Sequence, residues 1–184
     1  MNVYTPVVTQ QGINAAVSAL EQGVKIQIGH IAVGDAGYTP DRNQTALKSQ
    51  KNTAPVSGAE VVGNGQFHVT AEFTDDNQYA VKEVGFYLND HQDESQRTLF
   101  AVWSHPENVL FFQTPIAKIV QGFDLLLTAV PPESLDFNVS GDLSLYYADE
   151  FAALTIAQTK ALTAQIQSNL RQIHFNDRLL KLEG

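Results

Sequence analysis

Along the first 147 residues, the apolar positions switch between two periods. From Thr9 to Gly23 (TQQGINAAVSALEQG), Ile13, Ala16, Val17 and Leu20 recur at helical spacing, which predicts a helix with one apolar face. Thr9 is placed to cap its start, and Gly23 to close its end in a left-handed conformation. From Lys25 to Val33 (KIQIGHIAV) the period becomes two, the mark of a strand that Gly34 ends. Residues 34 to 54 are polar and rich in turn formers. They read as a long loop with room for a helical turn near Ala46. Phe67, Val69, Ala71 and Phe73 then alternate behind Asn64-Gly65, a pair suited to the type I′ turn of a hairpin. Residues 79–88, 98–104, 122–130 and 136–147 read as further strands. The polar link 89–97 between two of them is expected to be exposed, and Pro131-Pro132 blocks a continuous ladder between the last two. About seven strands joined mostly by hairpins imply an α+β fold. The expected architecture is an antiparallel β-sheet or sandwich with a short N-terminal helix packed on it.

The pattern changes after Tyr147. Residues 148 to 182 contain no Gly or Pro and predict one helix of about 30 residues, roughly 45 Å long. Phe151, Leu154, Leu162, Ile166, Leu170, Ile173 and Leu180 form an apolar stripe at threes and fours. Gln158, Lys160, Gln165, Gln167 and Arg171 lie opposite. A narrow stripe must be buried somewhere. Self-association and folding back on its own domain would both do so, and coiled-coil reasoning favours the first. Asn169 and Asn176 near the seam are residues that can set register and oligomer state. The expected organisation is therefore a β-rich domain, 1–147, and an amphipathic helix, 148–184.

Composition narrows the function. The formal net charge is −9 and the eleven Lys and Arg are scattered, so there is no basic stripe of the kind that nucleic acid or an anionic membrane demands. There are no cysteines, which removes disulfides, thiolate metal sites and thiol catalysis. No stretch approaches the ~20 apolar residues of a membrane span, and MNVYTPVVTQQG lacks the features of a signal peptide. A soluble protein made in a cytoplasm is expected.

The strand-to-turn sequence Ile31–Pro40 (IAVGDAGYTP) invites a phosphate-loop reading. It lacks the Gly-Lys-Ser/Thr ending, its glycine spacing fails the dinucleotide fingerprint, and it does not repeat EF-hand ligands. The simpler expectation is a tight turn in which Asp35 caps backbone N–H groups and the glycines supply positive φ. His30, His68, His91, His105 and His174 form no HxH or HExxH pair, and no serine sits in a GxSxG elbow. No catalytic residue, metal or cofactor is expected. Glu83 is the one sharp expectation. A lone carboxylate in an otherwise apolar strand is costly unless hydrogen-bonded or paired. Its predicted donors are backbone N–H groups of the Gly34–Gly37 turn, or a nearby base.

Four spaced motifs carry a resemblance. Val7-Val8-Thr9-Gln10-Gln11-Gly12 precedes the helix. Ile31-Ala32-Val33-Gly34-Asp35-Ala36-Gly37 ends the first strand. Val81-Lys82-Glu83-Val84-Gly85-Phe86-Tyr87 and Thr98-Leu99-Phe100-Ala101-Val102 follow in order. Over residues 5–147 the chain resembles the N-terminal domain of phage tail-collar fibre proteins of contractile-tailed phages. Where that family has an Asn-Glu-x-x-Arg segment this chain has Leu47-Lys48-Ser49-Gln50-Lys51-Asn52, and Lys82 replaces an arginine. The resemblance implies a structural virion protein that anchors a receptor-binding fibre to a baseplate, either as a fibre or as a short adaptor, in a phage or a tailocin. It implies baseplate wedge proteins and a fibre shaft as partners, a homotrimer, and location in the virion tail. Val33, Gly34, Asp35, Gly37, Glu83, Gly85 and Phe86 are the motif residues it singles out. The rival readings are a free-standing carbohydrate- or protein-binding sandwich, for which Tyr79, Tyr87 and Trp103 are the candidate aromatics, and a hydrolase with paired carboxylates.

Overall fold

A computed structural model of the chain describes residues 3–63, 65–127, 134–141, 158–160, 162–169 and 171. The chain divides into two compact units, Met1–Tyr146 and Tyr147–Gly184. In the first, the elements run β1 (Val3–Tyr4), β2 (Val7–Val8), α1 (Gln10–Glu21), β3 (Ile26–Gly34), β4 (Gln50–Gly63), β5 (Gln66–Phe73), β6 (Tyr79–Val81) and β7 (Glu83–Leu88). A 3-10 turn (Glu94–Gln96) follows, then β8 (Leu99–Ser104), β9 (Phe111–Gln113), β10 (Ile119–Leu126) and β11 (Leu135–Phe137).

The sheet is mostly antiparallel, in the order β1-β10-β5-β4-β3-β7-β8-β2, with β11 joined to β3 and a separate β6–β9 pair. Only β1–β10 and β11–β3 are parallel among these strand pairs. The two ends of the order, β1 and β2, are consecutive in the chain and separated by Thr5-Pro6. Three Cα steps span at most about 11 Å, so both sheet edges converge on one short segment. The sheet is thus curled into a half-barrel whose seam is crossed by the N-terminal residues.

β4 makes the corner. Its first part pairs with β3 as far as His30↔Pro55, and its second pairs with β5 from Val56↔Ala71. Pro55 has no N–H to continue the first ladder, and a register shift between Val56 and Gly58 adds the bend. β11 fills the wedge where β4 leaves β3: Asn138 N–H reaches the Ile28 carbonyl, and Ser140 and Gly141 N–H both reach the Val56 carbonyl. Inside the curl, period-two alternation brings Ile31, Val33, Val84 and Phe86 against Val69, Phe73, Phe123 and Leu125. Phe86 and Phe123, from opposite walls, meet edge to face at 5.8 Å between centroids.

α1 is capped as its sequence predicts. The Thr9 hydroxyl accepts the Gly12 N–H, and Gly23 follows with φ 70°. Its packing differs from expectation. The buried positions are Gly12, Ala16 and Ala19, while Val17 and Leu20 are exposed. The cause is closeness: a Cβ on Gly12 would lie 2.3 Å from the Phe100 carbonyl oxygen, so only small residues fit beneath the helix.

Three further expectations change. The long loop ends at Ser49, because Gln50–Ala54 pairs with β3 instead of remaining irregular, and the chain near Ala46 only bends. The strand predicted over 79–88 breaks at Lys82, whose N–H turns to the Gly34 carbonyl. β6 then pairs with β9, a short strand the periodicity did not announce. Residues 158–160, 162–169 and 171 of the second unit are helical. Of the predicted stripe, Leu162 and Ile166 are described and exposed. Phe151, Leu154, Leu170, Ile173 and Leu180 lie outside the described residues, as do Pro131-Pro132.

Gly12→Ala tests the close approach of α1. The added methyl should destabilise the domain by about 1–3 kcal/mol, since an overpacked backbone contact has to be relieved. An unchanged thermal midpoint would show that the helix has room to shift.

Candidate functional site

Gly34 at the end of β3 pairs with Glu83 at the start of β7, and Val33 with Val84. Alternation therefore sends Val33, Val84 and Phe86 into the core, and turns Glu83, Gly85 and Tyr87 to the other face. Residues 35–49 fold over that face. Leu47 completes a second apolar cluster with Ala32, Tyr87, Leu99 and Val102. Gly85 leaves space for Leu47, Leu99 and Tyr87, whose side chains would meet a Cβ there at 3.0–3.1 Å.

The loop is fastened by Glu83, which has no solvent exposure. Its Oε1 accepts the Ser49 N–H at 2.7 Å. Its Oε2 accepts the Lys48 N–H at 3.0 Å and the Tyr38 hydroxyl at 2.7 Å. The Gln44 side-chain amide donates to the Tyr38 oxygen and to the Ala46 carbonyl. The Lys48 ammonium stands 4.1 Å from the Tyr38 ring centroid, a cation–π contact. At the other end of Tyr38, its N–H reaches the Ser104 hydroxyl at 3.1 Å, and that hydroxyl lies 3.0 and 3.2 Å from the Lys82 and Ala36 carbonyls. Burial, reinforced by the Glu83 carboxylate beside it, raises the Tyr38 hydroxyl pKa well above the ordinary tyrosine value.

Glu83 is therefore hydrogen-bonded, but not by the donors expected from sequence. They come from the far end of the loop and from Tyr38, not from the Gly34–Gly37 turn or a base. The glycines also act differently. Among the described residues only Gly23 and Gly65 have left-handed φ. Gly34 is required by proximity, because its Cβ would fall 2.4 Å from Glu83 Oε1 and 2.3 Å from the Ser49 carbonyl oxygen. A Cβ on Gly37 would fall 2.7 Å from the Pro106 carbonyl oxygen. Asp35 pairs with Lys51 at 3.3 Å. The Ser49 hydroxyl, and then Lys51, hold its carboxyl below the usual aspartate range.

The motif residues thus divide. Gly34, Asp35, Gly37 and Glu83 surround one loop, Gly85 lies beneath it, and Val33 and Phe86 belong to the core. Sequence reasoning missed Tyr38 and Ser104. It also missed Lys48 and Ser49, whose contribution is backbone N–H and leaves no trace in residue type. A tyrosine three residues beyond Asp35, in a loop otherwise short of buried side chains, was the available signal for Tyr38.

Sealed from solvent, the Glu83 carboxylate cannot reach a substrate; what it does is hold a loop. The exposed parts of that loop, Thr39, Asp41–Asn43, Thr45, Ala46 and Lys48, form a polar surface. The aromatics proposed for sugar binding form no platform. Tyr87 is buried, Trp103 packs partly buried against the core, and the hydroxyl of half-buried Tyr79 donates to Asp75. Among the described residues no cluster of His, Asp and Glu is placed to hold a metal ion, and no helix is long and apolar enough to cross a membrane. Large apolar side chains are instead exposed at Val17, Leu20 and Val24 around α1, at Phe112 in β9 and at Ile116 between β9 and β10.

The chain belongs to the phage tail-collar fibre protein family, whose N-terminal region matches residues 1–109. That family places it among the structural proteins of a phage tail, in the virion. The match contains α1, β1 to β8 and the whole Glu83 clamp; β9, β10 and β11 lie beyond it. No curated protein and no solved structure matches the chain.

Two measurements test the clamp. Glu83→Gln keeps the size but presents an amide NH2 to a donor, so it should cost about 1–3 kcal/mol. Amide exchange should then quicken across residues 35–49 ahead of the core strands; uniform protection would refute the pin. The raised Tyr38 pKa also has a sign. The unfolded state loses this proton first, so its contribution is complete below about pH 10, the unperturbed tyrosine value. It is lost as pH rises from there towards the folded-state value. Tyr38→Phe should flatten that alkaline decline, and an unchanged slope would assign it elsewhere.

Proposed function

We propose that the protein anchors a receptor-binding fibre to the baseplate of a contractile tail, as the attachment part of a tail fibre or as a short fibre adaptor. The observation that carries this reading is the family match over residues 1–109, which takes in α1, the outer loop and the clamp that fixes it. A docking module that transmits force needs a surface of fixed shape. Glu83 supplies that by tying residues 35–49 to the sheet through a carboxylate that water does not reach. The partners are baseplate wedge proteins on one side and the fibre shaft on the other.

In this reading, residues 1–147 grip the tail, and the helix over 148–184 joins copies or receives the shaft. The exposed Leu162 and Ile166, one turn apart on described helical residues, support the second role. Three copies are expected, as befits a fibre. The same construction would serve a tailocin.

Deleting the gene should yield complete tails that carry no fibres, visible by electron microscopy; fibred tails would end the attachment reading. In solution the chain should have the mass of a trimer, and removing residues 148–184 should give a folded monomer. A full-length chain that stays monomeric at high concentration would remove the helix from the assembly.

A further inference from the structure

His30 lies half-buried on the outer face of β3, which it shares with Ala32 and Gly34. Its cross-strand neighbours are Pro55 on β4 and Tyr87 on β7. Its Nδ1 is sealed from solvent and meets no hydrogen-bond partner among the described residues. The link 89–97 lies against this part of the face and is tied down at several points. The Glu94 carboxylate accepts from the Gln50 side-chain amide at 2.8 Å and from the Thr53 hydroxyl, both on β4. Arg97 Nε and Nη2 donate to the His91 and Gln92 carbonyls at 3.2 and 3.3 Å. The Asp93 carboxylate accepts the Ser95 N–H and hydroxyl, and the Asp90 carboxylate accepts the Thr98 N–H.

A neutral imidazole is tolerated in this place; an imidazolium is not. Once charged, both ring nitrogens are donors, and Nδ1 has nothing to donate to. Burial and the Arg97 guanidinium hold the His30 pKa below the ordinary histidine value, and the Glu94 carboxylate opposes them only in part. Those two side chains are its charged neighbours among the described residues. β3 carries no other ionisable side chain. On β4, Gln50, Thr53 and Pro55 are uncharged, and Lys51 is paired with Asp35. On β7, burial raises the Tyr87 hydroxyl pKa, so the phenol is neutral, and Glu83 is held by the clamp. A proton on His30 can thus be accommodated in two ways. Water reaches Nδ1, which requires the link to move aside, or Glu94 turns to the ring, which removes the tie to Thr53 and Gln50.

We propose that residues 89–97 form an acid-released strap, fastened to β4 while His30 is neutral and freed when the ring takes up a proton. The sign follows from the direction of the shift. The open strap lets His30 bind its proton more readily than the closed one, so closure is unaffected above about pH 6.5, the ordinary histidine value. Below it, closure weakens as pH falls, by about tenfold per pH unit at most, until the closed-state value is passed. Asp93, which caps the 3-10 turn of the strap, is held below the usual aspartate range by the Ser95 hydroxyl and N–H, so it protonates at lower pH than a free aspartate. Release frees Gln50, whose side chain also meets the Tyr87 hydroxyl at 3.3 Å, next to the Ser49 end of the clamped loop. A pH-dependent surface thus adjoins the fixed one. The inference is independent of the attachment reading.

The test follows the full-length chain by NMR and amide exchange between pH 7.5 and pH 5, with rates corrected for their intrinsic pH dependence. The Ser95, Gln96 and Arg97 amides report the strap, because so short a 3-10 turn does not hold once unfastened. Their protection should fall by roughly threefold or more, and by about thirtyfold at most at pH 5. The Lys48 and Ser49 amides of the clamp should keep theirs. His30→Gln should abolish the fall, and His91→Gln, which changes the histidine of the strap itself, should leave it in place. Arg97→Gln removes the repelling cation, so the His30 ring should titrate at a higher pH than in the wild type; this measurement stands even if His30→Gln does not fold. A fall that persists in His30→Gln, constant protection while the His30 ring titrates, an equal loss at Lys48 and Ser49, or an Arg97→Gln ring that titrates no higher overturns the strap.

Discussion

A carboxylate taken wholly out of water is tolerated only when its oxygens find donors to replace the lost solvent. Glu83 meets that constraint with two backbone N–H groups and a phenol, all from residues 35–49. The consequences spread outward. The position beside it must be glycine, since any side chain at Gly34 would occupy the space of the carboxylate. Tyr38 must be buried to reach it, and Ser104 then anchors the Tyr38 backbone. The pairing of β3 with β7 is fixed as well. A slip of one residue would turn Glu83 into the apolar core and Val84 and Phe86 out of it, so the register that buries two hydrophobic side chains is the one that delivers the carboxylate to its donors.

The loop could not be held this way by a flat sheet. Residues 35–49 need β3, β7 and β8 as a firm floor, and that floor is backed by the curl. β4 turns the corner at Pro55, Phe86 meets Phe123 across the interior, and the N-terminal segment binds both edges through β1 and β2. The two halves support each other: the core fixes the outer face of the sheet, and the outer face carries the clamp.

How much of this was legible in the sequence depends on whether the determining contact was local. The α1 caps, the Gly65 turn and the alternation of Phe67, Val69, Ala71 and Phe73 are short-range and read directly. The need for a partner at Glu83 was also legible, because a charge among Val84, Phe86 and their neighbours has a cost that residue type alone reveals. The identity of the partner was not, since two of the three donors are main-chain groups brought in from residues 48 and 49. The glycines misled for the same reason. Gly34 and Gly37 look like residues chosen for backbone freedom, but close approach from elsewhere in the chain selects them. Val17 and Leu20 fit a helix face perfectly well in period, yet the depth at which α1 docks, set by Gly12 against β8, leaves them outside.

The boundary of the family match separates two kinds of constraint. Residues 1–109 hold the clamp, the loop and the floor beneath them, but β1 lies within that stretch and, among the described residues, pairs only with β10, which lies outside it. The shared part therefore does not complete the sheet; residues 119–126 supply the wall between β1 and β5. The Glu83 carboxylate, its donors and the loop they hold all lie inside the match. The clamp is thus complete within the matched stretch, whereas closure of the sheet beside β1 depends on a strand outside it.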